Sequence, residues 1–156
     1  MIKLVIFFRL HIFIIILFTY SHAMAYEESS FNIVHQTDVY EIRHYADRLA
    51  VQAKYTNQNS SFRNLFNYIS GKNLASEKIK MTTPVTLFEE NSEMIMQFYL
   101  PSKFTKQSAP IPNDSRVKLR TIEEGYFAVI KYSGRITNKN FDKHKNILRK
   151  NCSPSG

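Results

Sequence analysis

The residue types best suited to holding a ligand are concentrated between positions 78 and 85, which read Lys-Ile-Lys-Met-Thr-Thr-Pro-Val. Met81 carries a polarizable thioether and stands where the chain turns into a predicted strand. Pro84 cannot donate a hydrogen bond to a neighbouring strand, which favours an edge or a bulge and leaves the segment free to meet a ligand. Lys78 and Lys80 alternate on one face beside Met81, and they could pair with the carboxylates of an acidic ligand. The alternatives are core packing for Met81 and simple solvation for the two lysines.

One histidine adds a second candidate. His44 shares a predicted strand face with Tyr40 and Ile42, so its ring could point inward, and a neutral imidazole can bind a metal ion. A strand histidine that is hydrogen-bonded to a neighbour is the alternative. The sequence contains no nucleophile with an identifiable base, no glycine-rich phosphate loop and no closely spaced metal-binding pair. These patterns favour binding over catalysis.

The elements that must position these residues repeat one pattern of strand, turn, strand and helix. Ala50-Val51 and Ala128-Val129 occupy equivalent places, 78 residues apart. The polar turns at 46–48 and 123–125 predict two hairpins. The first helix is predicted to begin at Ser60 or Ser61, to end at Gly71 and to face the core with one apolar stripe. That stripe consists of Phe62, Leu65, Phe66 and Ile69.

The second copy of the pattern is the weaker one. Its helix is predicted from about Thr137 to Asn151, with Phe141 and Leu148 as its apolar positions. Two further strands, 78–88 and 94–100, follow the first helix, whereas no strand pattern follows the second. We therefore expect a C-terminally shortened domain whose second half lacks its last strands, or a second half that pairs differently or with a partner chain.

The first 25 residues have the three parts of a secretory signal peptide. Lys3 and Arg9 give a basic start, an apolar run extends from Leu10 to Tyr20, and Ala23-Met24-Ala25 fits a cleavage site. We expect export to the periplasm or secretion, with no stable membrane span after cleavage. Residues 26–36 are expected to form a flexible tail, and residues 37–156 to form a single domain.

The chain carries a net charge of +8, and its densest basic group falls on the second predicted helix, between Lys139 and Lys150. No nucleic-acid-reading motif accompanies these charges, so a solvated basic face is the preferred interpretation and no nucleic-acid partner is expected. Cys152 is the only cysteine. An intramolecular disulfide and a cysteine-based metal site are therefore excluded.

Several motifs, taken in order over about residues 37–150, resemble the SOUL heme-binding family. Lys-Ile-x-Met-Thr-x-Pro-Val, at 78–85, is the most specific of them. The others are Val-Tyr-Glu-Ile-Arg-His-Tyr at 39–45, Phe-x-x-Leu-Phe-x-Tyr-Ile-x-Gly-x-Asn at 62–73, Phe-x-Leu-Pro at 98–101 and Tyr-Ser-Gly at 132–134.

The resemblance implies an α+β fold, a distorted antiparallel β-barrel of two pseudo-symmetric halves. It also implies non-catalytic binding of heme or a related tetrapyrrole in an apolar cleft, for carriage, buffering or scavenging outside the cytoplasm. The alternative is a binding or regulatory module of the same fold that recognises another amphipathic molecule or a protein. His44 could supply an axial ligand to the iron, and binding without an axial ligand is also open. The expected heme-binding residues are Met81, Thr82, Pro84, Val85, Lys78, Lys80 and His44.

Overall fold

The computed structural model describes residues 26–55, 58–135 and 137–152. The predicted signal peptide, residues 1–25, lies outside the described residues. The described chain has the expected α+β composition, with two helices and nine strands. The strands are β1 (Glu27–Glu28), β2 (Asn32–Gln36), β3 (Glu41–Tyr45), β4 (Arg48–Lys54), β5 (Thr82–Thr83), β6 (Val85–Glu90), β7 (Glu93–Tyr99), β8 (Lys118–Ile122) and β9 (Gly125–Val129). The helices are α1 (Gln58–Ile69) and α2 (Asn138–Cys152).

The strands form separate sheets. A four-stranded antiparallel sheet has the order β6-β7-β4-β8, and a three-stranded antiparallel sheet has the order β2-β3-β9. A short parallel pair joins β1 to β5. Within the described ranges, none of these sheets is closed into a barrel.

The two predicted hairpins are wrong, because the strands on either side of each turn do not pair with each other. Instead β3 pairs with β9 and β4 pairs with β8. The register is continuous, from Tyr45 opposite Gly125 to Arg48 opposite Ile122. Ala46 therefore lies opposite Glu124, and Asp47 lies opposite Glu123. The two stretches β3–β4 and β8–β9 bend together at this point. The backbone N–H of Glu124 donates to Oδ1 of Asp47 over 2.8 Å, which connects the two strands at the bend.

An arginine at this bend contacts both sheets. The guanidinium carbon of Arg48 lies 4.0 Å from the ring centre of Tyr45, 4.9 Å from that of Phe127 and 4.6 Å from that of Tyr99. Tyr45 and Phe127 belong to the three-stranded sheet, whereas Arg48 and Tyr99 belong to the four-stranded sheet. Nε and Nη2 of Arg48 are buried and have no hydrogen-bond partner among the residues that the structure describes. The guanidinium, which is removed from water, therefore interacts mainly with the three aromatic rings through cation–π attraction.

The core lies between α1 and one face of the four-stranded sheet. Leu65 of α1, Val51 of β4 and Phe98 of β7 are almost completely buried there. Each such side chain stabilises the fold by about 1.5–3 kcal/mol relative to an exposed position. Of the predicted apolar stripe on α1, Leu65 and Ile69 are buried, whereas Phe62 and Phe66 stay largely exposed. The helix therefore has a wider apolar arc than this sheet covers.

The segment 26–36, expected to be a flexible tail, contains two strands. β1 pairs with β5, and β2 pairs with β3 through an irregularity between Ile33 and His35. Phe31 of this segment lies under the guanidinium of Arg43, whose carbon is 3.9 Å from the ring centre. The N-terminal segment therefore pairs both with the segment 78–85, through β5, and with the three-stranded sheet, through β3.

Replacing Arg48 with Ala should lower the free energy of unfolding by about 2–3 kcal/mol, because contacts with three aromatic rings are lost at the junction of the sheets. Urea denaturation followed by circular dichroism measures this change. Arg120→Ala, at an exposed site on β8, is the control and should cost less than about 0.5 kcal/mol. Equal midpoints for the two variants would show that Arg48 does not hold the sheets together.

Candidate functional site

Exposed apolar side chains flank the core on the α1 side of the four-stranded sheet. Phe62 and Phe66 of α1 are 36% and 46% exposed, and Val85 and Leu87 of β6 are 38% and 48% exposed. We call these four residues the α1–β6 surface. Large apolar side chains that are grouped at the surface are a usual feature of ligand or partner sites.

The four side chains share one face because of strand register and helix spacing. Val85 lies opposite Phe98 in the antiparallel ladder, and Leu87 lies opposite Met96, so both point to the side that α1 covers. The ring centres of Phe62 and Phe98 are 5.2 Å apart. Phe62 and Phe66, one helical turn apart, stack within 14° of parallel at 6.0 Å. Buried Phe98 thus forms a floor between the exposed helix rings and the edge strand.

The segment 78–85 runs from the end of α1 to β6. The backbone N–H of Ile79 donates to the carbonyl of Ile69 over 2.8 Å, which places the segment at the last turn of α1. The buried hydroxyl of Thr82 donates to the carbonyl of Tyr99 over 2.6 Å and fixes the other end against β7. The peptide bond between Thr83 and Pro84 is cis. Both ends of the candidate segment are therefore attached to the core.

The loop before this segment depends on one buried asparagine. The side-chain amide of Asn73, which is 1% exposed, donates to the carbonyls of Tyr68 and Glu77 over 3.0 Å and 2.7 Å. Its Oδ1 accepts from the backbone N–H of Glu77 over 3.1 Å. Three hydrogen bonds in a buried site fix the path of the chain between α1 and Lys78.

The segment 78–85 carries two exposed cations, whereas Glu89, on the same face of β6 as Leu87, is an exposed acid. Lys78 and Lys80 are exposed on either side of buried Ile79, as the predicted alternation requires. The pKa of the Glu27 carboxyl lies below its usual range, first because the backbone N–H of Ser102 donates to it, and in smaller part because of the charge on Lys80. Lys80 therefore has an acidic neighbour, and no carboxylate within ion-pair distance of Lys78 is found in the described ranges.

The structure separates the seven predicted binding residues into two groups. Six of them lie on the single segment 78–85. Met81 is half-buried and packs against the core, Thr82 is buried, and Pro84 and Val85 are exposed. His44 lies on β3 in the three-stranded sheet, where its half-buried ring is 4.7 Å from that of Tyr126.

Sequence reasoning missed the helix side of the site. Phe62 and Phe66 were assigned to the core, and Leu87 was not singled out. The available signal was the width of the apolar arc on α1, which also includes Leu65, Tyr68 and Ile69. A helix that packs on one side of a sheet needs only part of such an arc, so the excess residues can be exposed.

The clefts of the described structure are lined by other residues. A cleft of about 430 Å3 is lined by α1, the turn after it and the loop before β8, and one of about 560 Å3 is lined mainly by polar and charged residues of α1, β4, β8 and the β6–β7 turn. Among the predicted binding residues, only Thr82 lines one of the cavities found, which has about 200 Å3. The core cluster fills part of the space between α1 and the four-stranded sheet, and the cleft of about 560 Å3 lies in another part, between Asn64 of α1 and Ala53 of β4. The four residues of the α1–β6 surface line none of these three clefts.

The described ranges contain neither a metal-binding cluster nor a helix that could span a membrane. No group of three or more His, Cys, Asp or Glu side chains there could hold a metal ion. No helix there has the length and apolar character needed to cross a lipid bilayer.

The described chain is thus an α+β protein whose exposed apolar surface adjoins, along the chain, a segment with two exposed lysines. The model of the SOUL heme-binding protein family matches residues 26–156, and the chain belongs to that family. No curated protein matches the chain.

Tyr68 of α1, whose carbonyl accepts a hydrogen bond from Asn73, makes the stability of the fold depend on pH. The hydroxyl of Tyr68 donates to the carbonyl of Pro110 over 2.8 Å, and burial, with a smaller contribution from Glu77, raises the pKa of Tyr68 to about 12. The folded state keeps this proton to a higher pH than the unfolded state does. The stabilisation is therefore complete below about pH 10 and is lost as the pH approaches about 12.

Tyr68→Phe should lower the free energy of unfolding by about 1 kcal/mol below about pH 10, because one buried hydrogen bond is removed. The advantage of the wild type over this variant should shrink above that pH. Urea denaturation at a neutral and at an alkaline pH measures both effects. Tyr126→Phe, at a residue that is 71% exposed, should show neither. A wild-type advantage that stays constant with pH would contradict the proposed burial of the phenol.

Proposed function

We propose that this protein binds heme or a related tetrapyrrole at the α1–β6 surface without catalysing a reaction. The observation that carries the proposal is the pair of exposed, stacked rings of Phe62 and Phe66 beside the exposed Val85 and Leu87 of the edge strand. Membership of a heme-binding family supports the same ligand class. Carriage, buffering or scavenging of the ligand outside the cytoplasm is the role that we propose for it.

The chemistry of a tetrapyrrole suits this arrangement. Its flat face is apolar, and covering apolar surface gives about 25 cal/mol per Å2. Aromatic rings add offset or edge contacts with a conjugated plate. The two carboxylates on one edge need cations, and Lys78 and Lys80 stand at the end of the surface that lies beside the last turn of α1. Met81, Thr82, Pro84 and Val85 form the connection between these lysines and the apolar part of the site.

Iron ligation is a secondary part of the proposal. His44 contacts Tyr126 in the three-stranded sheet, whereas the α1–β6 surface belongs to the four-stranded sheet. We therefore propose that apolar contact and carboxylate pairing supply most of the affinity, with no axial ligand from His44. When bound, heme would contribute an iron centre whose redox behaviour depends on its axial ligands.

We also propose that the ladder of β3–β4 with β8–β9 is the shared edge of the two pseudo-symmetric halves expected in this family. Ala50 pairs with Arg120, and Ala128 pairs with Ile42. These two pairs are related by the same displacement of 78 residues that relates the repeated sequence patterns. The register therefore supports a two-fold relation between the halves.

Hemin should bind to residues 26–156 with a shifted Soret band that saturates near one equivalent. Leu87→Ser should weaken this binding about 10-fold, because an apolar contact is lost from the site. Leu74→Ser is the matched control, since Leu74 is 68% exposed but lies outside the α1–β6 surface. Titration by absorbance, repeated with iron-free protoporphyrin, measures both affinities.

The outcomes of that titration separate the candidate functions. Equal binding of hemin and protoporphyrin would support a site without an axial ligand, and preference for hemin that His44→Ala removes would contradict it. Hemin that binds only without saturation, while another amphipathic molecule stabilises the fold, would overturn tetrapyrrole binding in favour of the second ligand class. Equal loss in the Leu87 and Leu74 variants would place the ligand elsewhere.

The lysines predict a dependence on the ligand's carboxylates. The double variant Lys78→Gln/Lys80→Gln should bind protoporphyrin about 3- to 10-fold more weakly, because two exposed charge pairs are lost. The dimethyl ester of protoporphyrin should bind wild type and variant equally. Fluorescence titration compares the four combinations, and Lys72→Gln/Lys106→Gln, also at exposed sites, serves as the control. A loss of the same size for the ester would assign the lysines no role in pairing.

A further inference from the structure

The largest of the three clefts lies outside the proposed tetrapyrrole site. Its volume of about 560 Å3 is in the range of cavities that bind small organic molecules. The cleft opens between Asn64 of α1 and Ala53 of β4, and it continues past the start of β8 onto the face of the four-stranded sheet that points away from α1. A ligand of small-molecule size therefore has a recess at this end of the sheet.

Strand register places the main lining residues on the face away from α1. Val51 packs in the core beneath the helix, so Gln52, the next residue of β4, points the other way. Lys118 lies opposite Gln52 in the antiparallel ladder, and Arg120, two residues further along β8, shares its face. Ile95, which is 8% exposed, also lines the cleft. The cleft therefore has an apolar floor and two cationic side chains on the β8 side.

The cations on the β8 side have unpaired charges. Lys118 and Arg120 are exposed, and no carboxylate of the described residues lies within ion-pair distance of either one. Arg116, which also lines the cleft, is neutralised by Asp114, because Nη2 of the arginine lies 2.7 Å from Oδ2 of the aspartate. The β8 side of the cleft can therefore receive an anionic group.

The opposite side of the cleft has an unpaired acid. Glu90, at the end of β6, lies opposite Glu93 in the ladder with β7 and has no ion pair in the part of the chain that the structure describes. Glu93 itself is paired, with its Oε1 2.6 Å from Nζ of Lys54. β8 and β6 are the two edges of the sheet, so three strand spacings, about 14 Å in all, separate them. The unpaired charges are therefore opposite in sign at the two sides of the cleft.

A fixed amide lies between these charges. Gln97 is 2% exposed, and its Oε1 accepts a hydrogen bond from Nε2 of Gln52 over 2.7 Å. Nε2 of Gln97 donates to Oγ1 of Thr86 over 3.3 Å. These bonds orient the side chain of Gln52 at the cleft, where its Oε1 has no partner among the described residues. An amide oxygen of this kind accepts a hydrogen bond from a ligand N–H.

We propose that this cleft binds a short peptide with free termini. Lys118 and Arg120 pair with the C-terminal carboxylate, and Glu90 pairs with the N-terminal ammonium. Gln52 accepts a hydrogen bond from a backbone N–H of the peptide, and an apolar side chain of the peptide contacts Ile95. An extended peptide of three or four residues spans about 10–14 Å, which matches the distance between the two edge strands. A simple organic acid, by contrast, leaves Glu90 without a partner.

Peptide binding goes beyond the proposed tetrapyrrole site and does not depend on it. Leu87 of the α1–β6 surface points to the side that α1 covers, whereas Gln52 and Lys118 point to the other side of the same sheet. Failure of hemin binding would leave the peptide proposal standing, and failure of peptide binding would leave the tetrapyrrole proposal standing.

The test titrates the protein, expressed as the full chain, with the tripeptide alanyl-leucyl-alanine in a calorimeter. Binding should saturate near one equivalent. The C-terminal amide of the peptide should bind about 3- to 10-fold more weakly, because its pairing with two cations is lost. The N-acetyl peptide should bind about 2- to 5-fold more weakly, because its pairing with one acid is lost.

Variants assign each end of the peptide to its side of the cleft. Lys118→Gln/Arg120→Gln should weaken binding of the free and the N-acetyl peptide about 3- to 10-fold and leave the amide unchanged. Glu90→Gln should weaken binding of the free peptide and the amide about 2- to 5-fold and leave the N-acetyl peptide unchanged. Glu89→Gln, at the next residue but on the other face of β6, is the control for the acid. Lys72→Gln/Lys106→Gln, at exposed sites elsewhere, is the control for the cations.

Three outcomes would overturn the proposal. One is the absence of saturable binding at millimolar peptide. Another is an equal loss for the free peptide and its amide in the Lys118/Arg120 variant, or a loss of the same size in the control variants. The third is binding of hexanoate as tight as that of the peptide, which would assign the cleft to simple carboxylic acids. Thermal melting by circular dichroism confirms that each variant is folded.

Discussion

The continuous antiparallel ladder between residues 41–52 and 118–129 is the constraint on which the remaining structure depends. Two parts of the chain that are far apart in sequence complete each other's hydrogen bonds along both sheets. On their other edges β3 pairs with β2 in a hairpin and β4 pairs with β7, so β9 and β8 complete the second edge of each of these strands. At the bend, the guanidinium of Arg48 contacts aromatic rings from both sheets, and these contacts link the two sheets where no hairpin turn does.

Burial is distributed unequally on the two sides of this ladder. α1 packs its Leu65, Tyr68 and Ile69 into a core of almost completely covered side chains. α2, which follows the equivalent strand pattern, buries no residue. The hydrophobic stabilisation of the described chain therefore comes mainly from the α1 side. The α2 side instead presents charge and aromatic rings to its surroundings.

The proposed ligand site is a direct result of how α1 meets the edge of its sheet. β6 is an edge strand of the four-stranded sheet, and among the described residues no further strand lies beyond Val85 and Leu87 to cover the helix rings. Phe62 and Phe66 continue the apolar arc of α1 past that edge. Asn73 and Thr82 then fix the chain before and within the segment 78–85, which carries Lys78, Lys80 and Met81. The proposed site thus joins an exposed apolar surface to a segment that is held against the core.

The sequence by itself determined the α+β class, the family, the helix α1 and the segment 78–85, because periodicity and motif order are local properties. It also placed the alternation of Lys78 and Lys80 around Ile79 correctly. Only the tertiary structure decided that the polar turns are bends in a ladder rather than hairpins, since strand pairing depends on partners that local spacing does not identify. The exposure of Phe62 and Phe66 was likewise decided by where the four-stranded sheet ends, and the position of His44 by the pairing of β3 between β2 and β9. An apolar residue shows in the sequence that it can be buried, and only the packed neighbours decide whether it is.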